Sequence, residues 1–156
     1  LFALYDTQNV LVAEREGSTF IMPGSVTPVF ESGIQTGNRI AVRTYFIFTE
    51  DPVWQRMEDR SKIVIINDKK MTDAQSAPRL TSTAFNSSVL DMTDVLFVAT
   101  IFDQAGNAFA SSQTKIPKLR GGEKQEITFT WPDPFTITVT ATDDLFYNSG
   151  ASRAYP

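Results

Sequence analysis

IAVRTYFIF (Ile40–Phe48) decides the fold class, because its side chains alternate with a period of two residues. In a β-strand this period places every second side chain on the same face of a sheet, whereas a helix repeats about every 3.6 residues. The hairpin signal Gly37-Asn38 stands just before the stretch. The sequence therefore predicts a strand here. One of its faces would carry Ile40, Val42, Thr44, Phe46 and Phe48.

The same period recurs along most of the chain, and no stretch has the pattern of a long amphipathic helix. Residues 67–78 are polar and predict a loop. Short strands separated by turn signals are typical of a β-sandwich, so the predicted fold class is all-β. The other predicted strands are 1–5, 10–14, 18–22, 26–34, 63–66, 79–85, 95–102, 108–116, 125–131 and 136–142.

The composition limits the classes of function. The chain has no His, the commonest general base and metal ligand, and no Cys, the source of thiolate nucleophiles and zinc–thiolate sites. Its 14 basic residues are scattered among 18 acidic ones, which argues against nucleic acid as a partner. No apolar run approaches the ~18–20 residues that cross a bilayer. We therefore expect that this chain is not an enzyme, binds no cofactor and contains no membrane span.

Two segments of the chain resemble each other. Leu4–Ala13 matches Ile101–Ala110, with one inserted residue in the turn that aligns Asn9 with Asn107. Both segments have a strand that ends in aromatic–Asp, a polar turn that closes on Asn, and an apolar return strand. Such a repeat predicts two modules of one fold. The alternative is that Asp and Asn stand in both hairpins only because they suit turns.

The repeat suggests a first module at residues 1–49, a linker at 50–61, a second module at 62–142 and a tail at 143–156. Two predicted strands precede the second copy and none precedes the first, so the first module is expected to lack its opening strands. Either the sequence begins inside this module, or another segment fills the gap. An open sheet accepts a neighbour's strand by β-augmentation, and the local candidates for a donated strand are 136–142 and the tail.

The second half of the chain carries a recognisable set of motifs: Asn86-Ser87-Ser88-Val89, Asp94–Asp103, Gly106-Asn107, Ala110-Ser111-Ser112, Leu119, Gly122-Glu123 and Phe129–Pro132. With these motifs it resembles the small immunoglobulin-like modules of FxLYD type, which occur in tandem in bacterial extracytoplasmic proteins, often behind a single N-terminal membrane helix. Residues 1–48 match more loosely. The resemblance implies two tandem immunoglobulin-like β-sandwich modules, an extracellular, periplasmic or cell-surface location, and no catalytic residues.

Three aromatic residues are candidate interaction residues: Trp54 in the linker, and Tyr147 and Tyr155 in the tail. Exposed aromatic rings stack on sugars or anchor contacts between proteins. Trp54 would alternatively pack the two modules together. Trp131 alternates with apolar neighbours on its strand and is predicted to face the core.

Acidic groups offer further candidates, each with a simpler alternative. Paired acids at a strand end are candidate calcium ligands, and the simpler alternative is that they are only solvated. Acids at the hairpin tips are candidate metal ligands, and the simpler alternative is that they only form the turn. Acids in the linker would form a glycosidase-like carboxylate pair or only exposed ion pairs. The groups are Asp143-Asp144 with Asp133, Asp6 with Asn9, Asp103 with Asn107, and Glu50-Asp51 with Glu58-Asp59.

These observations favour a non-catalytic structural or interaction protein of the bacterial cell surface or extracellular space. In its specific form the protein would be a filament or assembly subunit, and a β-strand added from another copy would complete its first module. The alternative is a carbohydrate- or calcium-binding module.

Overall fold

The computed structural model describes residues 1–19, 21, 28–51, 53–54, 63–136 and 141–148, the last range as backbone only. The described residues contain strands and no helix, which confirms the all-β fold class. The strands are β1 (Phe2–Tyr5), β2 (Leu11–Arg15), β3 (Arg43–Phe46), β4 (Val64–Thr72), β5 (Arg79–Asn86), β6 (Met92–Phe102), β7 (Ala108–Leu119), β8 (Lys124–Thr130) and β9 (Ala141–Asn148).

The chain divides into two compact units. The first unit comprises residues 1–19 and 29–58, and the second comprises 20–28 and 59–156. In the described part of the chain, the first unit holds one sheet with the strand order β2-β1-β3. The second unit holds two sheets, with the orders β4-β5-β8 and β7-β6-β9, and all strand pairs are antiparallel.

The hydrophobic core of the second unit joins its two sheets. Alternate residues of β6 are buried, and they form one cluster with buried residues of β5 and β8. This arrangement is consistent with a β-sandwich, in which two sheets bury the apolar faces that they turn toward each other. Trp131 packs against the cluster, as its alternation predicts. The fully buried members include Val95, Phe97, Ala99, Ile101, Leu80, Ala84, Ile127 and Phe129.

Several predicted strands differ from the observed ones. Residues 67–72, predicted as a loop, continue β4, and a bulge follows Asn67 where Asp68 has a φ of 55°. Polar residues suit this strand because it lies at the edge of its sheet, where their side chains reach solvent. The predicted strand at 40–48 is shortened to β3, although Ile47 and Val42 still make backbone hydrogen bonds to Leu1 and Tyr5.

The described residues of two other predicted strands are not strands. Residues 28–34, and Ser18, Thr19 and Ile21, have no regular secondary structure. Alternation creates an apolar face, but a strand also needs a neighbour that accepts its backbone hydrogen bonds. None of these residues is paired with a neighbouring strand.

The tail also differs from the prediction. Residues from Asp143 onward are predicted to fray or to be donated to another chain, but Asp143–Asn148 belong to β9 and pair with β6 of the same chain. β6 has eleven residues, so its second edge provides a long row of backbone partners for this strand. Residues 137–140 and 149–156 lie outside the described residues.

Candidate functional site

The first hairpin turn, between β1 and β2, is closed by Asp6. Its Oδ1 atom accepts hydrogen bonds from the backbone N–H groups of Gln8 at 2.9 Å and Val10 at 3.0 Å. Arg39 donates to the other carboxylate oxygen at 2.7 Å. The Val10 N–H has the largest effect in lowering the pKa of Asp6, and Gln8 and Arg39 lower it further against a rise from burial. The carboxylate is therefore engaged by donors of the chain itself.

The second hairpin turn, between β6 and β7, repeats this geometry. Oδ1 of Asp103 accepts from the N–H groups of Ala105 at 2.9 Å and Asn107 at 2.8 Å. The Asn107 amide donates to the other oxygen at 3.2 Å, and these bonds from Asn107 are the main cause of the lowered pKa of Asp103. Turn geometry therefore accounts for both acidic hairpin tips. The described residues contain no group of three or more Asp or Glu that would hold a metal ion.

The two hairpins match residue for residue, without the insertion that the sequence comparison placed in the turn. Asn9 has a φ of 59° and takes the place of Gly106, whose φ is 80°. The register irregularity lies at the same step in both hairpins, after Leu4 in one and after Ile101 in the other. Asn tolerates this left-handed conformation better than most residues, which explains why it substitutes for Gly here.

Each of the two sheets that contain these hairpins has a third strand, which pairs with the first strand of the hairpin on the side away from the second. β3 pairs with β1 in the first unit, and β9 pairs with β6 in the second. The strand orders β2-β1-β3 and β7-β6-β9 therefore correspond. In the second unit, β4, β5 and β8 form an opposing sheet. In the first unit, no second sheet is present among the described residues.

The consequence is visible in the burial of corresponding side chains. Leu4 and Phe2 correspond to Ile101 and Ala99, which are buried in the core of the second unit at 0% and 1% exposure. Leu4 and Phe2 are only half-buried. Ala3 is the one buried hydrophobic residue among the described residues of the first unit. Among the described residues, this face of the first sheet is therefore less buried than the corresponding face of the second unit, which forms a core.

Aromatic rings cover this open face. Phe2 and Phe46 are directly opposite each other on β1 and β3, with ring centroids 5.2 Å apart. Phe48 packs edge-on against Phe46 at 4.9 Å. Phe46 and Phe48 remain 44% and 60% exposed. We call Phe2, Leu4, Phe46 and Phe48 the aromatic face. On the opposite side of the sheet, Tyr5 and Tyr45 make an edge-to-face contact at 5.4 Å.

Exposed large hydrophobic side chains are concentrated around β3. Exposed apolar side chains that touch each other mark a surface that binds another molecule, whereas isolated ones are ordinary, and within this group Phe46 and Phe48 are in such contact. The group in residues 40–54 comprises Ile40, Val42, Tyr45, Phe46, Ile47, Phe48, Val53 and Trp54.

The three interaction residues predicted from sequence fall in different places. Trp54 is 69% exposed and follows Val53, at 84%, so it belongs to the exposed apolar group. Tyr147 lies on β9 opposite Phe97, and the side chains of β9 are not described. Tyr155 lies outside the described residues. Of the three residues, only Trp54 has a described side chain, and the aromatic face itself is not among the sites predicted from sequence.

The acidic groups of the linker and the tail are only partly described. Glu50 and Asp51 are exposed, and Glu58-Asp59 lie outside the described residues. The backbone of Asp143-Asp144 lies in β9 but their side chains are not described, so their relation to Asp133 remains a prediction.

Asn86, the first residue of an Asn-Ser-Ser stretch, has a structural role. Its side chain is fully buried, and Nδ2 donates to the carbonyl groups of Leu90 at 2.8 Å and Leu119 at 3.2 Å. Oδ1 accepts from the N–H of Ser88 at 3.0 Å and from its hydroxyl at 2.8 Å. The amide therefore ties the end of β5 to the ends of β6 and β7.

Within the described ranges, no helix is long and apolar enough to cross a membrane. No family model matches the sequence, and no curated protein or solved structure matches it significantly.

Proposed function

We propose that this protein is a non-catalytic structural or interaction protein of the bacterial cell surface or extracellular space. In this proposal, two tandem immunoglobulin-like modules act as an assembly unit, and the first module is completed by strands from another polypeptide. The observation that carries it is the aromatic face, which is open in the first unit where the corresponding face of the second unit forms a core.

The match between the two hairpins supports the tandem arrangement. Asp6 and Asp103 accept the same two backbone N–H groups, two and four residues farther along the chain. The register and the position of the third strand also agree. Turn chemistry alone would explain the shared Asp but not a common register and a common third strand. A repeated module accounts for all three features.

The energetics support assembly. Burial of apolar surface stabilises by about 25 cal/mol per Å², and full burial of a Phe side chain contributes about 1.5–3 kcal/mol. Phe46 and Phe48 keep about half of their surface in water. A partner that covers the aromatic face would gain this free energy, and a free sheet edge offers backbone groups to the same partner.

Sedimentation velocity of the full chain over a wide concentration range tests the proposal. We expect reversible self-association that weakens in the double variant Phe46→Ser/Phe48→Ser. The matched control is Val89→Ser, because Val89 is 93% exposed in the second unit and lies outside the strands. A chain that stays monomeric at every concentration, with identical behaviour of the three proteins, would overturn the proposal.

A second candidate function is carbohydrate binding, which the exposure of Trp54 favours. An exposed indole next to an apolar side chain offers a flat surface on which a sugar ring can stack. A glycan array with the wild-type chain and Trp54→Ala tests it, and a melting-temperature shift on adding calcium tests the calcium alternative. Binding that Trp54→Ala abolishes would favour this candidate over assembly.

A further inference from the structure

One edge of β3 is hydrogen-bonded to β1, and its other edge has no partner strand among the described residues. Leu1 and Ile47 exchange both backbone hydrogen bonds, N to O at 2.8 Å and 2.9 Å. In an antiparallel ladder such reciprocal pairs alternate with pairs that make no hydrogen bonds to each other. Tyr45, opposite Ala3, therefore directs its N–H and C=O toward β1. Thr44 and Phe46 direct theirs away from β1, toward the edge of the sheet.

This edge has only one of the features that usually prevent edge pairing. Natural edge strands are protected by charged residues, Pro or bulges. Between residues 40 and 48, Arg43 is the single charged residue and there is no Pro or Gly. β3 is a terminal strand of its sheet in the described part of the chain.

We propose that β3 pairs antiparallel with β3 of a second copy of this chain, about a two-fold axis that passes beside Tyr45. The two first-unit sheets then form one continuous sheet, and the aromatic faces of the two copies lie on the same side of it. The inference rests on the proposed function, because it names a second copy as the partner and the β3 edge as the contact that joins the copies beside their aromatic faces.

The direction of the backbone groups selects the register. Hydrogen-bonded pairs require two residues that both face outward. Thr44 opposite Phe46 of the second copy, with Phe46 opposite its Thr44, is the register that pairs both outward residues within the bounds of β3. Tyr45 then faces Tyr45 of the second copy across the axis. Because the interface is symmetric, each contact occurs twice.

The same register brings exposed apolar side chains together just beyond the strand. Val42 and Phe48 of the second copy are 50% and 60% exposed, and the ladder is irregular at Val42, whose N–H donates to the Tyr5 carbonyl at 2.8 Å. Arg43 lies opposite Ile47, so no like charges face each other. Cross-strand apolar pairs stabilise an antiparallel pair, whereas like charges directly opposite each other destabilise it.

Cysteine cross-linking tests the register, because the chain has no Cys of its own. Across a pair without hydrogen bonds the Cα atoms are about 4.5 Å apart, which a disulfide can bridge. Tyr45→Cys should therefore form a disulfide-linked dimer of the full chain under mild oxidation. The Thr44 positions of the two copies would be more than about 7 Å apart, so Thr44→Cys should react much more slowly. Val89→Cys gives the rate of random encounters.

A proline variant tests the edge without a new thiol. Thr44→Pro removes an outward N–H, and it leaves the hydrogen bonds between β1 and β3 in place. We expect its dimer dissociation constant to rise about tenfold, because two symmetric hydrogen bonds are lost. Thr44→Val keeps the N–H and should dimerise as the wild type does. Circular dichroism verifies that both variants are folded.

The outcomes separate this inference from the proposed function. Self-association with equal oxidation rates for Tyr45→Cys and Thr44→Cys, and with no effect of Thr44→Pro, would overturn the β3 pairing and leave assembly by another surface. A monomeric chain that forms no cross-link above the Val89→Cys rate would overturn both. Rapid cross-linking of Tyr45→Cys alone, together with weakened association of Thr44→Pro, would establish the pairing.

Discussion

Arg39 holds Asp6 through a hydrogen-bonded ion pair, with Nη1 of the guanidinium 2.7 Å from Oδ2 of the carboxylate. Asp6 closes the turn between β1 and β2, and Arg39 lies on the segment that leads into β3. The pair therefore joins the turn after β1 to the segment before β3, at the same end of the sheet.

Asp6→Asn keeps an oxygen for the two turn N–H groups but removes the charge, so we expect a small loss of first-unit stability in a urea titration. Arg15→Gln, at the exposed Arg15–Glu31 pair, is the matched control.

The stability of the chain should fall in acid below the ordinary carboxyl pKa of 3.8. The pKa values of Asp6, Asp91 and Asp103 are all lowered, chiefly by the Val10 N–H, the Lys118 side chain and the Asn107 N–H respectively. A carboxyl with a lowered folded-state pKa stabilises the fold fully above its unfolded pKa and loses this effect as pH falls through the folded value. The triple Asn variant should show a flatter dependence of the urea midpoint on pH in this range. A dependence equal to that of the wild type would contradict the prediction.

Substitution of Asn86 should destabilise the second unit. Asn86→Ala removes the side-chain partner of the Leu119 carbonyl and of the Ser88 N–H, while the Leu90 carbonyl keeps the Ser88 hydroxyl at 3.2 Å. We expect this loss to cost about 1–3 kcal/mol in chemical denaturation. Gln104→Ala, at an exposed turn position, should change the free energy of unfolding little. Equal effects of the two substitutions would show that the Asn86 amide is not needed to connect these strands.

Gly121 approaches another backbone segment closely. A Cβ atom at this position would overlap the carbonyl group of Val89, and Oδ1 of Asp91 accepts the Gly121 N–H at 3.1 Å. Because a backbone carbonyl cannot turn aside as a side chain does, Gly121→Ala should cost about 1–3 kcal/mol of stability. Thermal unfolding measures the loss, and Arg120→Ala, one residue earlier, should have no comparable effect.

Two Phe substitutions should differ in their effect on stability, because one removes a buried ring and the other an exposed ring. Phe97 is completely buried, and Phe97→Ala should destabilise the second unit by about 3–5 kcal/mol. Phe48 is 60% exposed, so Phe48→Ala should change the stability of the monomer by less than about 1 kcal/mol. Denaturation at low protein concentration, where association is absent, gives both values. A large loss from Phe48→Ala would mean that this ring is part of a core.

The sequence by itself determined the class of structure, because a period of two in the side chains reflects the pleat of a strand whatever its partner. It also located both hairpins, since Asp6 and Asp103 form their turns through bonds to residues only two and four positions away. Only the tertiary structure decided which strands pair, so the length of β3 and the place of β9 beside β6 were not predictable from alternation. The same holds for the aromatic face. An alternating Phe looks the same in the sequence whether a second sheet covers it, as at Phe97, or leaves it in water, as at Phe46.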